Sequence, residues 1–148
     1  MIWILLACTS SEKAPEILPP INLTEALSDS EVRAGVITED ASLFGGVSAE
    51  GRLGDIKLYN NKTQFIIQGN HISHYYIQEG CGLLDADIIR ENQPGRDIID
   101  EYTPMIGLGH ILGCDSIEVL NDGSSGTAHV QVKGHGTPFA LLEGALEN

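Results

Sequence analysis

Residues 55–68 read DIKLYNNKTQFIIQ and carry the strongest structural signal in the 148-residue sequence. Polar and apolar residues alternate over Asp55–Tyr59, which is typical of a β-strand with one buried face. A second strand-like run, Thr63–Gln68, follows after a short polar segment. Because asparagine tolerates positive φ, Asn60 and Asn61 suit the two central positions of a tight hairpin turn. The stretch therefore predicts an antiparallel β-hairpin.

Further short strands are predicted on the C-terminal side of this hairpin. We expect Gly82–Ile89 to form a third strand and Thr103–Ile111 a weaker fourth. Ser116–Leu120 and Thr127–Lys133 predict a second hairpin, with Asn121–Gly126 as its loop. Short strands separated by turn signals, without strand–helix–strand alternation, are typical of an all-β fold, here an antiparallel β-sandwich.

Composition divides the sequence into three parts. Residues 1–8 are an apolar run that ends at Cys8, and residues 9–31 are polar and proline-bearing, as a linker would be. From residue 32 onward, short apolar runs alternate with glycines. We therefore assign residues 32–148 to the β-sandwich domain.

The last residues of the sequence predict an unpaired strand. Phe139–Glu143 has the pattern of another strand, and only residues 144–148 follow it. An exposed strand edge invites association with another chain. We therefore expect the domain to be truncated at its C-terminus, as the front portion of a longer protein, or to pair through an exposed sheet edge with a partner domain or a second copy.

The charge of the sequence excludes one large class of partners. It contains 21 Asp and Glu residues against 8 Lys and Arg residues, which gives a formal net charge of −13. Nucleic-acid binding rests on Lys and Arg side chains that neutralise phosphates, and the basic residues here are few and scattered. We expect no nucleic-acid partner. No apolar run reaches the roughly 20 residues needed to cross a bilayer.

The N-terminal apolar run has the features of a processing signal. Leu5-Leu6-Ala7-Cys8 resembles the lipobox of bacterial lipoproteins, in which a small residue precedes the cysteine that is acylated. The resemblance implies a lipid anchor at Cys8, which would be the protein's contact with the membrane, and a location in the bacterial cell envelope, at the outer membrane or on the periplasmic side. The alternative is a buried N-terminal strand with an ordinary free cysteine. If Cys8 is acylated, Cys81 and Cys114 remain as candidates for a disulfide outside the cytoplasm.

One group of residues supplies candidate ligands for a metal ion. His71 and His74 lie three positions apart, and Asp85 and Asp87 follow after a turn. Zinc binds three or four nitrogen, oxygen or sulfur ligands, and these side chains supply that chemistry. The alternative is that the histidines are solvated loop residues and the aspartates belong to an ordinary strand. We expect no cofactor, with zinc or another divalent metal as the alternative.

Five short motifs, taken in order, resemble a known kind of region. They are Gly51–Asn60, Phe65–Gln68, Gly82–Asp87, Pro94–Asp97 and Ser116–Gly123. The set is similar to the N-terminal β-rich region of predicted bacterial lipoproteins that carry carboxypeptidase-regulatory-like or PHP-type metallohydrolase domains downstream. The resemblance covers roughly residues 33–143 and implies an accessory β-sandwich on an exported protein. The metal ligands of PHP domains lie beyond this region, so the resemblance implies no catalytic residue here.

Two functional hypotheses follow. The first is an exported, lipid-anchored, non-catalytic accessory or binding domain whose ligand the sequence does not identify. The second is a small metal-dependent hydrolase that uses His71, His74, Asp85 and Asp87.

Overall fold

The computed structural model describes residues 21–73, 77–107 and 109–142 of the chain. Its strands are β1 (Val32–Val36), β2 (Ile56–Asn60), β3 (Thr63–Ile67), β4 (Leu83–Ile88), β5 (His110–Asp122) and β6 (Ala128–Pro138), with a short 3₁₀ turn at Asp40–Ser42. Strands β1 to β4 form one antiparallel sheet in chain order, and β5 pairs with β6 in a second. The prediction of an all-β, antiparallel fold is confirmed.

The first hairpin forms where the sequence predicts it, but its turn differs by one position. Tyr59 pairs with Gln64, so the two turn residues are Asn61 and Lys62. The side-chain oxygen of Asn60 accepts hydrogen bonds from the backbone N–H groups of Lys62 and Thr63, at 2.7 and 2.9 Å. Neither asparagine has positive φ. Asparagine therefore serves this turn through its side-chain carbonyl rather than through the left-handed backbone that we expected.

The predicted fourth strand, Thr103–Ile111, is wrong. Met105 makes a single bridge to Ile111, and strand β5 begins at His110. Gly107 and Gly109 both have positive φ, and the N–H of Ile106 donates to the carbonyl of His110 across the turn that they form. The chain therefore reverses inside the predicted strand, because two glycines allow a tight turn there.

The second hairpin is confirmed and is longer than predicted. β5 has 13 residues and β6 has 11, and the pairing shifts between Cys114 and Ser116 and again between Val119 and Asn121. Such irregularities increase the local twist of a two-stranded ribbon. The hairpin contacts the first sheet through β1.

The strand expected at Phe139–Glu143 is also wrong over the residues described. β6 ends at Pro138, the N–H of Phe139 donates to the carbonyl of Gly109, and residues 140–142 are helical. Proline has no N–H for the strand ladder, which explains why the hairpin ends there. Glu143 and the residues after it lie outside the described part of the chain.

The hydrophobic core extends into the segment that the sequence assigned to a linker. Leu23 is 2% exposed and packs with Ile37, Tyr59 and Ile66. The partly buried side chains around this cluster are Ile21, Leu27, Leu43 and Phe44. Residues 21–31 therefore differ from the linker expected over residues 9–31, because their apolar side chains cover one face of the first sheet.

Hydrogen bonds fix this covering segment to the sheet. The ammonium group of Lys57, a residue only 6% exposed, donates to the carbonyl of Leu23 at 3.1 Å. The hydroxyl of Tyr59 donates to the carbonyl of Glu25 at the same distance. The predicted signal at residues 1–8, with Cys8, lies outside the described residues. Within the part that the structure describes, no helix is long and apolar enough to span a membrane.

We predict that Leu23→Ala destabilises the domain by about 2–5 kcal/mol, the usual cost of this truncation in a packed core. Leu53→Ala is the matched control, because Leu53 is 51% exposed and should change the unfolding free energy by less than about 0.5 kcal/mol. Urea unfolding monitored by circular dichroism measures both. Equal stabilities of the two variants would show that residues 21–31 are a linker after all.

Candidate functional site

The residues of the predicted metal site lie in two neighbouring parts of the fold. Asp85 and Asp87 are in β4, and His71 is in the loop after β3. His74 lies outside the described residues. Each of the three described side chains has its own set of partners, and two further aspartates, Asp55 and Asp97, are buried nearby.

Asp55, Asp85 and Asp97 form what we call the buried aspartate cluster. Each of the three residues is 0% exposed, and the charges of Asp55 and Asp97 both act on Asp85. Removing a carboxylate from water is costly unless hydrogen bonds replace the lost hydration. In this fold the replacement comes mainly from backbone N–H groups.

Asp55 connects two loops at the start of β2. One of its oxygens accepts from the N–H of Arg52 and the other from the N–H of Gly69, both at 2.8 Å. The second oxygen also lies 2.5 Å from Nε2 of His71. The carboxylate therefore holds the loop before β2 against the loop after β3.

Asp85 holds the same early loop from β4. Its two oxygens accept from the N–H groups of Glu50 and Gly51, at 2.8 and 2.9 Å. A Cβ atom at Gly51 would lie 2.7 Å from this carboxylate and 2.5 Å from the side chain of Ile66. Only glycine lets the backbone approach the carboxylate this closely.

Asp97 closes the outer edge of β4. One oxygen accepts from the N–H of Ala86 at 2.8 Å and from that of Ile99 at 3.4 Å. Its other oxygen is buried and has no hydrogen-bond partner among the described residues. Asp97 also makes a parallel bridge to Gly46, so the loop after the 3₁₀ turn lies beside the segment that contains Asp97.

Burial raises the pKa of Asp85 to about 6. Hydrogen bonds from the backbone of Glu50 and Gly51 act in the opposite direction, and the nearby charges of Asp97 and Asp55 raise the pKa further. Asp85 therefore takes up a proton at mildly acidic pH, where an ordinary aspartate stays ionised.

Asp87 has different surroundings. It forms an ion pair with Arg90 at 2.9 Å and accepts from the N–H of Arg96 at 2.6 Å. Partial burial acts to raise its pKa, but the hydrogen bonds from Arg90, Arg96 and Ile88 outweigh burial and lower it. This carboxylate holds the turn after β4.

His71 is engaged at both ring nitrogens. Nε2 contacts Asp55, Nδ1 contacts the guanidinium of Arg52, and the side chain is 28% exposed. A metal ligand needs a ring nitrogen with a free lone pair. Across the described residues, no three or more His, Cys, Asp or Glu side chains are grouped so that they could hold a metal ion. The contacts of His71 with Asp55 and Arg52 instead connect the loop after β3 to the loop before β2.

Cys81 and Cys114 form a disulfide, with their Cα atoms 5.6 Å apart in space and the two residues 33 positions apart in the sequence. The bond joins the turn before β4 to β5, and the N–H of Cys114 also donates to the carbonyl of Glu79 at 3.3 Å. The two sheets are therefore covalently linked.

A groove runs between β1 and the tip of the second hairpin, and we call it the β1 groove. It consists of two adjoining cavities of about 530 and 550 Å³ that share Ile21, Asp122 and Ser124 as lining residues. No local sequence pattern predicts this groove, because it depends on where the hairpin lies relative to β1.

Comparison of the sequence with protein-family models and with curated proteins, and of the structure with solved structures, finds no match. The resemblance to accessory regions of bacterial lipoproteins stays a prediction.

We predict that the wild-type unfolding free energy rises by about 1 kcal/mol between pH 7 and pH 5 because of Asp85. The folded state, with a pKa of about 6 for Asp85, binds this proton more tightly than the unfolded chain, whose pKa is near 3.8. The stabilisation is complete below about pH 3.8 and is lost as the pH rises through about 6.

Urea unfolding at several pH values tests this, with Asp85→Asn as the variant that cannot ionise. Asp85→Asn should lose this part of the pH dependence, whereas Asp40→Asn, at an exposed position, should keep it. The same slope in wild type and Asp85→Asn would contradict the assignment.

Proposed function

We propose that the chain is an exported, lipid-anchored, non-catalytic β-sandwich domain of the bacterial cell envelope, which acts as an accessory or binding domain. In this proposal, the four-stranded sheet and the β5–β6 hairpin are the two layers of the sandwich. Cys8 carries the lipid, and the residues that follow it connect the membrane to the domain.

The disulfide between Cys81 and Cys114 is the observation that carries the proposal of export. Structural disulfides persist in oxidising compartments and are rare in the reducing cytosol. A bond that closes a loop of this length contributes roughly 3–4 kcal/mol to stability by restricting the unfolded chain. The bond supports a location outside the cytoplasm, as the lipobox-like sequence implies.

The contacts of the predicted metal ligands support a non-catalytic role. The carboxylate oxygens of Asp85 accept backbone N–H groups, Asp87 is paired with Arg90, and the ring nitrogens of His71 contact Asp55 and Arg52. These side chains connect loops through their hydrogen bonds, whereas the ligands of a hydrolytic metal need a lone pair that is free to coordinate it.

The net charge of −13 supports a lipid anchor as the contact with the membrane. An acidic protein is repelled by anionic lipid headgroups, so a covalent lipid would supply the attachment that electrostatics opposes. We further propose that the domain uses an exposed strand edge to contact a partner domain or a second copy.

We predict that the protein, expressed in bacteria behind a complete signal sequence, partitions into the detergent phase and that Cys8→Ser moves it to the aqueous phase. Acylation adds about 0.8 kcal/mol of membrane affinity for each buried CH₂ group, and the serine variant cannot be acylated. Detergent phase separation followed by immunoblotting measures the partition. Thr9→Ser is the control and should behave as wild type, and equal partitioning of Cys8→Ser and wild type would rule out the anchor.

A second prediction separates this function from that of a metal-dependent hydrolase. The full chain carrying Cys8→Ser should be folded and should contain no stoichiometric zinc or manganese, as measured by plasma mass spectrometry after dialysis. One metal per chain that disappears in the His71→Ala/His74→Ala variant would favour the hydrolase. The circular dichroism spectrum of each sample shows whether the protein is folded.

A further inference from the structure

Lys57 is a buried cation that no carboxylate among the described residues neutralises. Its ammonium group donates to the carbonyl of Leu23 and lies 4.9 Å from the centre of the Tyr59 ring. Burial lowers the pKa of Lys57, because the charged form loses water. An ammonium group has three protons to donate, so the bond to Leu23 leaves it able to bind a further acceptor.

A cavity of about 450 Å³ lies beside this lysine, and we call it the Lys57 cavity. Leu23 and Tyr59, the two contacts of the ammonium group, line the same cavity, so the charge lies at its wall. The remaining lining residues come from β3 and from segments 23–26, 43–45 and 88–95. Sites for small molecules usually have volumes of about 300–1,000 Å³, so a small organic molecule fits this space.

Close packing of two loops forms one side of the cavity. A Cβ atom at Gly95 would lie 2.5 Å from the carbonyl oxygen of Gly45 and 3.1 Å from the Cβ atom of Phe44. The N–H of Asp97 also donates to the carbonyl of Gly45 at 3.2 Å. These contacts hold the two loops together, so this side of the cavity is formed before any ligand binds.

The wall of the cavity is apolar over several neighbouring segments. The large apolar side chains that line it are Leu23, Leu43, Phe44, Ile88, Ile89 and Pro94. Ile88 is 54% exposed and Ile89 is 38% exposed. A ligand with an apolar body would remove part of this surface from water, which favours binding.

The other charged residues that line the cavity already have partners. Glu25 is paired with Arg33, and Arg90 is paired with Asp87, both at 2.9 Å. Their charges are therefore compensated within the fold. The charge of Lys57 remains without an ion-pair partner among the described residues.

Gln64 places a second donor near Lys57. Lys57 pairs with Ile66 across β2 and β3, so Gln64 is its diagonal neighbour on the same face of the sheet. Diagonal neighbours have Cα atoms about 7–8 Å apart, within reach of long side chains. The side-chain amide of Gln64 lines the cavity and makes no hydrogen bond to any described residue. An anion between these two side chains would accept hydrogen bonds from both.

We propose that the Lys57 cavity binds a small organic carboxylate with an apolar body. The carboxylate accepts hydrogen bonds from Lys57 and Gln64, and supplies the opposite charge that the fold lacks at this point. The apolar body packs against Leu43, Phe44 and Ile88. One unpaired cation neutralises one negative charge, which favours a carboxylate over a doubly charged phosphate. The inference rests on the proposed role as a binding domain and gives that domain a ligand class.

The first experiment compares three headgroups on the same alkyl chain. Sodium octanoate is titrated into the isotope-labelled full chain carrying Cys8→Ser, and the chemical shifts of the backbone amides are followed. We expect saturable binding with a Kd of about 1 mM or tighter and the largest shifts around Phe44, Gln64 and Ile89. Octanol and octylammonium lack the anion and should bind at least about tenfold more weakly.

The second experiment removes the charge of the lysine. Lys57→Met keeps an unbranched apolar side chain without the ammonium group and should weaken octanoate binding by at least about tenfold, with octanol binding unchanged. Unchanged octanol binding shows that the cavity is intact. Lys62→Met is the matched control, because Lys62 is exposed and does not line the cavity, and it should bind octanoate as wild type. If Lys57→Met does not fold, the three headgroups compared on wild type decide.

A further probe distinguishes two sources of the carboxylate. N-acetyl-leucyl-leucine presents the same group at the end of a peptide. Tighter binding of octanoate than of this dipeptide supports a free acid as the ligand, and tighter binding of the dipeptide supports the C-terminus of a peptide. Both outcomes support a carboxylate beside Lys57.

The proposal is overturned if octanoate binding does not saturate up to about 10 mM, or if octanol binds wild type as tightly as octanoate does. It is also overturned if Lys57→Met and Lys62→Met bind octanoate alike, or if the shifted amides lie away from the cavity. Detergent partition and metal content do not depend on Lys57, so these results leave the proposed anchor and the absence of catalysis to their own experiments.

Discussion

The buried aspartate cluster depends on backbone N–H groups to replace the water that its carboxylates lose. Asp55 and Asp85 accept from three consecutive residues of the loop before β2, 50–52, and Asp97 accepts from the outer side of β4. Each bond satisfies a carboxylate and at the same time fixes a loop. Without these bonds, the buried charges would oppose folding.

Local sequence patterns predict some parts of this structure and not others. Both hairpins were predictable, because alternation and turn residues are local signals. The covering role of Leu23 was not, since an apolar residue between prolines and serines has the same local pattern in a linker and in a segment packed on a sheet. The wrong strand at Thr103–Ile111 has a local cause too, because Gly107 and Gly109 allow a turn inside a run whose other residues are typical of a strand.

The candidate site was predictable only in part. Sequence reasoning selected His71, Asp85 and Asp87 as polar residues with a chemical role, and the structure gives all three specific partners. It missed Asp55 and Asp97, because most of their partners are backbone N–H groups, which every residue except proline carries and which leave no mark on the sequence. A carboxylate that binds backbone and one that binds metal look identical until the chain is folded.

The disulfide has a mechanical consequence for a chain that is pulled at its ends. Under tension applied to its ends, the chain is stretched along a path that crosses directly from Cys81 to Cys114, so the residues between them carry no load. Those residues include β4, Asp85 and Asp97. Reduction would release the segment between the two cysteines, which are 33 positions apart, or roughly 110 Å of extended chain. In the oxidised domain, a pulling force therefore cannot extend this segment, which includes β4 at one edge of the first sheet.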